Sequence, residues 1–415
     1  MPFPHRRVRP VVNTATVVRR KPSLDFSVTG LVYCSMMMFM GLAAINSQAN
    51  LLFGVFGLMI GILLISGVIS RVVLQKISVV RVLPESAVVG EATTIVYELT
   101  NQKRFWPSLS MGVSELDGVE AFTRQPVAYM LHAASKMTAS VPVDVVPKRR
   151  GLYVLNRFQL STSFPFGFIK RAIEKHQEDK ILIFPAMGRV DRKLLQMCRS
   201  AENTGPTMRP RRGGQDEFYG VKEHRQGENP RHIYWRRSAR TGVMVSKEMT
   251  LVSPPKLLLL VDTFAGPLDD HTPERLADIE RTIAMAASLA NDALEAGLSI
   301  GVLAWRGEWV LIRPGRGKRH RRDVLAHLAT LPSNTTQTSQ TLLDESHDAM
   351  ETGMTSVLIT PRDVQLGLTE HVRNTMIVVS ASATSQSQGR RWFEFNKEVD
   401  FSMCGSENRE SRIEK

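Results

Sequence analysis

Asp262 ends an unbroken apolar run, Leu257-Leu258-Leu259-Leu260-Val261, and no residue of this sequence is better placed to do chemistry. Such a run reads as a buried parallel strand, and open α/β sheets bind ligands at the carboxyl ends of their strands. A carboxylate at that edge can ligate magnesium if hydroxyl oxygens complete an octahedral shell. Of the residues that follow, Thr263, Phe264, Ala265 and Gly266, only Thr263 carries a hydroxyl. Thr360 can supply a second, but Pro361 and Arg362 come after it, and a guanidinium beside a cation is unfavourable. The expectation is an Asp that closes its loop. The set Asp262, Thr263 and Thr360 is at most a degenerate metal site, and neither metal nor cofactor is expected.

A second concentration of functional residue types lies just upstream. Asn229-Pro230 has the form of a helix start, with Asn as N-cap and Pro at the first position. Thr241-Gly242 ends that helix, and Val243 to Lys247 reads as a strand. Between them stand Arg231, His232, Tyr234, Trp235, Arg236, Arg237, Ser238 and Arg240. At 100° per residue the arginines do not separate from Ile233 and Trp235, so some must be ion-paired or face a partner. Glu217, Glu223, Glu228 and Glu248 are the nearby acids. Arginine beside aromatic rings also suits nucleic acid. The segment is short, however, and carries no nucleic-acid motif, so packing or partner docking is expected and nucleic acid is not. Arg231, Trp235, Arg236, Arg237, Ser238 and Arg240 form the candidate partner-binding set. No GxSxG, Walker loop, HExxH or CxxC is present. Gly315-Arg316-Gly317-Lys318 lacks phosphate-loop spacing and reads as a basic turn.

These residues need elements to hold them. Phe26 to Ile45 and Leu51 to Ser70 are uncharged runs of spanning length. They are joined by the short polar link Asn46-Ser47-Gln48-Ala49-Asn50. Arg6, Arg7, Arg9, Arg19, Arg20 and Lys21 precede the pair, and Arg71, Lys76 and Arg81 follow it. Basic flanks around a charge-free link predict a hairpin with both ends in the cytoplasm. Gly57 and Gly61 form a GxxxG step that permits close helix approach, within the hairpin or between copies.

From Ile77 to about Pro185 the dominant period is two. Strands are expected at Ile77–Val82, Thr93–Thr100, Lys136–Val146, Leu152–Leu160 and Ile181–Phe184, in an antiparallel sandwich or barrel. Ala201 to Asp216 mixes Gly, Pro and Arg and reads as a linker. After Lys256 strands alternate with helices, which predicts a doubly wound α/β domain. Its helices are expected from Thr272 to about Ala296 and from about Lys318 to Leu331, and its further strands at Leu298–Trp305, Ser356–Thr360 and Met376–Ser380.

The 415 residues therefore divide as follows: 1–25 a basic cytoplasmic segment, 26–70 a transmembrane hairpin, 77–190 a sandwich-like domain, 200–250 a linker and basic block, 256–382 the α/β domain, and 386–415 a polar tail. The tail's apolar patch is Trp392-Phe393-Glu394-Phe395. A net charge of +13 suits basic membrane flanks. Three cysteines without a CxxC pair, Cys34, Cys198 and Cys404, argue against a disulfide scaffold or zinc site.

Several of these stretches together resemble the DUF 58 family of bacterial membrane proteins: Asn50-Leu51-Leu52, Asn101, Phe164-Pro165-Phe166-Gly167, and the block Glu217-Phe218 to Arg225 with Gly227-Glu228, Arg231, Ile233, Trp235 and Ser238-Ala239-Arg240. The resemblance implies a domain similar to von Willebrand factor type A and no established enzymatic activity. It also implies a MoxR-class AAA-type ATPase as partner, in assembly or chaperone-like roles. The metal-binding form of that domain carries Asp-x-Ser-x-Ser, which is reduced here to Asp262-Thr263-Phe264-Ala265-Gly266. The expected function is thus a non-enzymatic scaffold in the cytoplasmic (inner) membrane, multi-pass, with its soluble domains facing the cytoplasm. The alternative is a metal-dependent binding protein or enzyme using the sheet edge at Asp262.

Overall fold

The computed structural model describes residues 23–200, 212–225, 229–250, 255–264, 266, 272–333, 335–349, 354–362, 376–382, 392–396 and 399–401. The basic segment 1–22, most of the expected linker and most of the polar tail lie outside them. The chain forms two compact units, Met1–Ala186 with Asn396–Ser406, and Met187–Phe395 with Glu407–Lys415.

The first unit begins with a short strand, β1 (Ser23–Phe26), and two helices, α1 (Val28–Ser47) and α2 (Asn50–Leu74). Residues 23–25, expected in the basic cytoplasmic segment, are thus part of a sheet. The Ser27 side chain caps α1 by accepting from the Gly30 amide at 3.1 Å. Gln48, left-handed at φ 50°, ends it. Both helices are long and apolar enough to cross a membrane. Their apolar side chains point outward: Val28 is 81 % exposed and Leu51 79 %. A water-soluble helix pair does not present apolar surface on that scale. The hairpin closes through Phe56, whose ring lies against Gly41, and through Tyr33 Oη, which donates to the Met59 carbonyl at 3.1 Å. Gly57 and Gly61 do not make this contact. A Cβ added at either would meet nothing within 4 Å, so their face is open and closeness within the hairpin rests on Gly41 instead.

The far end of α2 buries Ser66, Ser70, Val73 and Leu74, a stripe at helical spacing, against the sheets that follow. Those are β2 (Ile77–Val82), β3 (Ala87–Val88), β4 (Thr93–Asn101), β5 (Ser108–Glu115), β6 (Val127–Ala133), β7 (Thr138–Val145), β8 (Gly151–Thr162) and β9 (Ile169–Phe184). One sheet runs β1-β9-β8-β5-β6, with β3 beside β9, and the other β2-β4-β7. They face each other across Ile95, Tyr97, Leu99, Leu155, Phe158 and Leu160, all within 1 % of full burial. The expected strands lie in two facing sheets, with β1, β3, β5 and β6 in addition and with β9 far longer than expected.

A polar cluster lies inside this core. Arg81 donates to Glu115 at 2.6 Å, to Asp179 at 3.0 Å, and to the carbonyls of Leu155 and Gln177 at 2.6 and 2.7 Å. Tyr97 Oη donates to the other Glu115 oxygen at 2.7 Å. At the sheet end nearest α2, Lys103 Nζ donates to the carbonyls of Val72 and Val73 at 3.0 and 2.9 Å and pairs with the Ser108 hydroxyl.

The second unit opens with β10 (Arg189–Val190) and α3 (Arg192–Ser200). Next come β11 (Arg212–Glu223), α4 (Trp235–Thr241) and β12 (Val245–Thr250), with β11 and β12 pairing antiparallel. Strand β11 starts inside the stretch expected to be linker, because β12 supplies the ladder partner that its glycines and arginines do not advertise. The α/β domain consists of β13 (Lys256–Val261), α5 (Pro273–Glu295), β14 (Ser299–Trp305), β15 (Trp309–Gly315), α6 (Gly317–Ala329), α7 (Ser339–Ala349), β16 (Met354–Thr360) and β17 (Met376–Ser380). Its sheet order is β15-β14-β13-β16-β17, parallel throughout except for the antiparallel edge β15. Leu257 to Leu260 are all fully buried, so both sheet faces are covered. Helix α7 lays Leu342 and Leu343 against Leu258 and Leu260, and α5 also packs on the sheet. Thr272 stands at the N-cap of α5 with Pro273 behind it, as expected, but its hydroxyl makes no capping bond. The tail patch is ordered into β18 (Phe393–Glu394), paired with β10.

Candidate functional site

The central strand β13 delivers Asp262 to the carboxyl edge of the sheet, where it is 2 % exposed. Its amide donates to the Ile359 carbonyl at 2.9 Å, which fixes it against β16. Oδ1 accepts from the Phe264 amide at 2.8 Å, the short-range bond by which Asp closes a turn. Oδ2 accepts from Ser339 Oγ at 2.6 Å and Thr360 Oγ1 at 3.1 Å. Three elements thus converge on one carboxylate: the end of β13, the first residue of α7 and the end of β16. Burial raises the Asp262 pKa, while the bonds from Ser339, Phe264 and Thr360 and the charge of Arg362 oppose that shift. The Arg362 guanidinium lies over the Phe264 ring at 4.5 Å.

Of the three residues marked in the sequence, Asp262 and Thr360 meet and Thr263 does not join them. The Thr263 hydroxyl is buried and has no hydrogen-bond partner among the described residues. Ser339 takes its place, and sequence reasoning passed over it because α7 is short and polar, Ser339-Gln340-Thr341-Leu342-Leu343-Asp344-Glu345-Ser346. Its only periodic signal is the sequence Ser339, Leu342, Leu343, Ser346 on one face, all four of them buried. No group of three His, Cys, Asp or Glu side chains able to hold a metal occurs among the described residues. The carboxylate accepts three hydrogen bonds and pins three loops. Among the described residues no second acid or histidine hydrogen-bonds to it.

The basic block is built differently. Asn229 caps a single turn, Pro230–His232, by accepting from the Arg231 amide at 3.1 Å. The chain then breaks at Ile233 and Tyr234 before α4 begins, so the one helix expected here is two. Ile233 is buried and bridges to Ser246, while the Tyr234 amide donates to the Val245 carbonyl at 2.7 Å. Ser238 closes the arrangement. Its hydroxyl donates to the Tyr234 carbonyl at 3.1 Å and accepts from the Val245 amide at 2.9 Å. Gly242, left-handed at φ 73°, returns the chain to β12.

This bracing leaves a bare outer surface. Trp235 is 65 % exposed, and Met244 and Val243 are 55 % and 50 % exposed. Arg231, Arg236, Arg237 and Arg240 are exposed as well. None of the four makes a side-chain hydrogen bond or ion pair to a described residue. Glu223 is exposed and does not pair with them, and Glu228 lies outside the described residues. Ser238 alone of the candidate set is committed inward.

Both features lie within, or adjoin, one stretch of chain. Residues 220–360 match the family model described as "Protein of unknown function DUF58". The match takes in the arginine–tryptophan surface and ends on Thr360, and it supports the DUF58 family. No curated protein matches the chain. Among solved structures, a GH20 exo-β-N-acetylglucosaminidase from Vibrio harveyi, in complex with N-acetylglucosamine, aligns at 8 % identity over 68 % of this chain and 57 % of its own, with a TM-score of 0.15. The chain thus spans less than two thirds of that protein, and a likeness at this level carries no argument.

Proposed function

We propose that this DUF58-like chain is a membrane-anchored, non-enzymatic scaffold whose basic hairpin docks a cytosolic protein. The observation that carries the reading is the exposed surface of Trp235, Val243 and Met244, with four exposed arginines that pair with no described residue. Tryptophan and arginine are the residue types that dominate interface hot spots, and apolar side chains gathered at one place on a soluble surface mark a contact. The partner that the family resemblance points to is a MoxR-class AAA-type ATPase. The α/β unit reads as similar to von Willebrand factor type A. That reading is supported by a parallel sheet with one antiparallel edge and an Asp at the carboxyl end of its central strand. Two helices of spanning length, with basic residues after the second, support an inner-membrane hairpin whose soluble units face the cytoplasm. The three hydrogen bonds at Asp262 support a loop-closing role over the alternative of a metal-dependent binder or enzyme there.

The test is a pull-down from detergent-solubilised cells with and without ATP. Nucleotide-dependent recovery of an AAA-type ATPase is expected. Arg236→Glu with Arg237→Glu should abolish that recovery while leaving the melting temperature unchanged, because both side chains lie at the surface and make no hydrogen bond or ion pair to a described residue. Recovery undiminished in the folded double variant would take the arginines out of the interface.

A further inference from the structure

The turn Ser163-Phe164-Pro165-Phe166-Gly167-Phe168 joins β8 to β9 and lies hard against the first turns of α1. The Ser27 amide donates to the Phe168 carbonyl at 3.1 Å, and the Ser27 hydroxyl donates to the carbonyls of Gly167 and Phe168. A Cβ at Gly30 would fall 2.1 Å from the Phe168 oxygen, so only glycine admits so close an approach. The Phe168 ring stacks on Tyr33 at 4.1 Å and 20°, and Phe166 stacks on Phe168 at 5.6 Å. Phe166 is nevertheless 50 % exposed, and Phe26, one residue before the Ser27 cap, is 61 % exposed.

The depth of these rings follows from helix length. Helix α1 has 20 residues, and a bilayer core of about 30 Å needs about 20 at 1.5 Å each. A helix with no residues to spare must begin at the membrane boundary. Tyr33 lies five residues past Val28, about 7 Å along the axis, and the Phe168 ring lies beside it. The exposed Phe166 and Phe26 are then level with the layer where headgroups meet acyl chains. Charged side chains lie on the adjoining strands and helix: Lys170 and Arg71 are exposed, the exposed Asp25 stands opposite Lys170 and Leu24 opposite Arg171 in the β1–β9 pairing, and Arg171 is close enough to Arg71 to feel its charge.

We infer that this turn of the β-domain is itself a membrane-binding wedge, with Phe166 and Phe26 seated in the lipid interface beside α1 and Arg71, Lys170 and Arg171 placed for phospholipid phosphates. Aromatic rings favour that layer and basic side chains favour its anionic headgroups. The inference rests on the reading of α1 and α2 as membrane spans.

The test uses the full chain in vesicles of phosphatidylglycerol and phosphatidylcholine, with Phe166→Trp as probe and the wild-type emission subtracted. Phosphatidylcholine brominated near the carbonyl end of its acyl chains should quench most of the added emission, and aqueous iodide should not. If Phe166→Trp does not assemble, Phe26→Trp carries the same expectation. Quenching by iodide alone would overturn the wedge. So would shielding from both quenchers, which would give the surface to a protein. Carbonate washing separates the two readings. Protein kept in the washed vesicles with an unquenched probe means that the wedge fails and the anchor stands, whereas release by carbonate means that both fail.

Discussion

Arg81 and Glu115 are both fully buried, and each depends on the other for being charged there. Burial pushes the Glu115 carboxyl above its usual range, and the guanidinium and the Tyr97 hydroxyl pull it back. Removing one partner of such a pair leaves an uncompensated charge in the core, a loss of about 3–5 kcal/mol. Arg81→Met should therefore lower the unfolding free energy of the detergent-solubilised chain by about that much, and adding Glu115→Leu should restore part of it. At this scale the sequence showed some residues and concealed others. Asp262 was legible because an apolar run leads straight to it. Arg81 looked like one more basic residue flanking a membrane span, since nothing local shows that Glu115, Leu155 and Gln177 converge on it. The exposure of Trp235 was concealed for a related reason. Its helix is too short for periodicity to separate an inner from an outer face, and the bonds of Tyr234 and Ser238 to Val245 decide the matter from β12.

Among the elements, those that bury alternate side chains were the readable ones. Strands β2 and β17 fall on the expected residues, Ile77–Val82 and Met376–Ser380. Strand β9 was readable only at its apolar end, Ile181–Phe184, because its middle, Glu174 to Lys180, is charged. That middle is held in place by long-range contacts such as Lys175 Nζ on the Ile77 carbonyl at 3.0 Å and Gln177 on the Arg81 backbone at 3.1 and 3.0 Å. Two glycines in the long apolar helices looked alike in sequence and differ in structure. Gly30→Ala sets a methyl group into the Phe168 carbonyl and should cost about 1–3 kcal/mol through forced backbone movement. Gly61→Ala meets nothing and should hold or raise stability, by up to about 1 kcal/mol from helix propensity. Thermal unfolding of the two variants in the same detergent compares them directly.

For the whole molecule, charge and hydropathy carried most of the information. The hairpin, the sandwich and the α/β unit were all apparent from runs and periods, and the DUF58 match at 220–360 falls wholly within the second unit. The orientation proposed for the hairpin has a direct check. A reporter active only in the cytoplasm, fused after Ser200, should give signal. Signal from a periplasmic reporter alone would reverse the topology.

Lys103 has a mechanical consequence. Its ammonium occupies the last carbonyls of α2, where a helix otherwise frays, and the same group grips Ser108 at the start of β5. The same ammonium thereby ties the end of the helix to the sheet. A helix of 25 residues is a rod about 37 Å long. Tilting such a rod by about 10° swings its far end by about 6 Å. Helices tilt when the bilayer thins. On the proposed reading of α1 and α2 as membrane spans, a change in bilayer thickness that tilts α2 would reach the sandwich through Lys103.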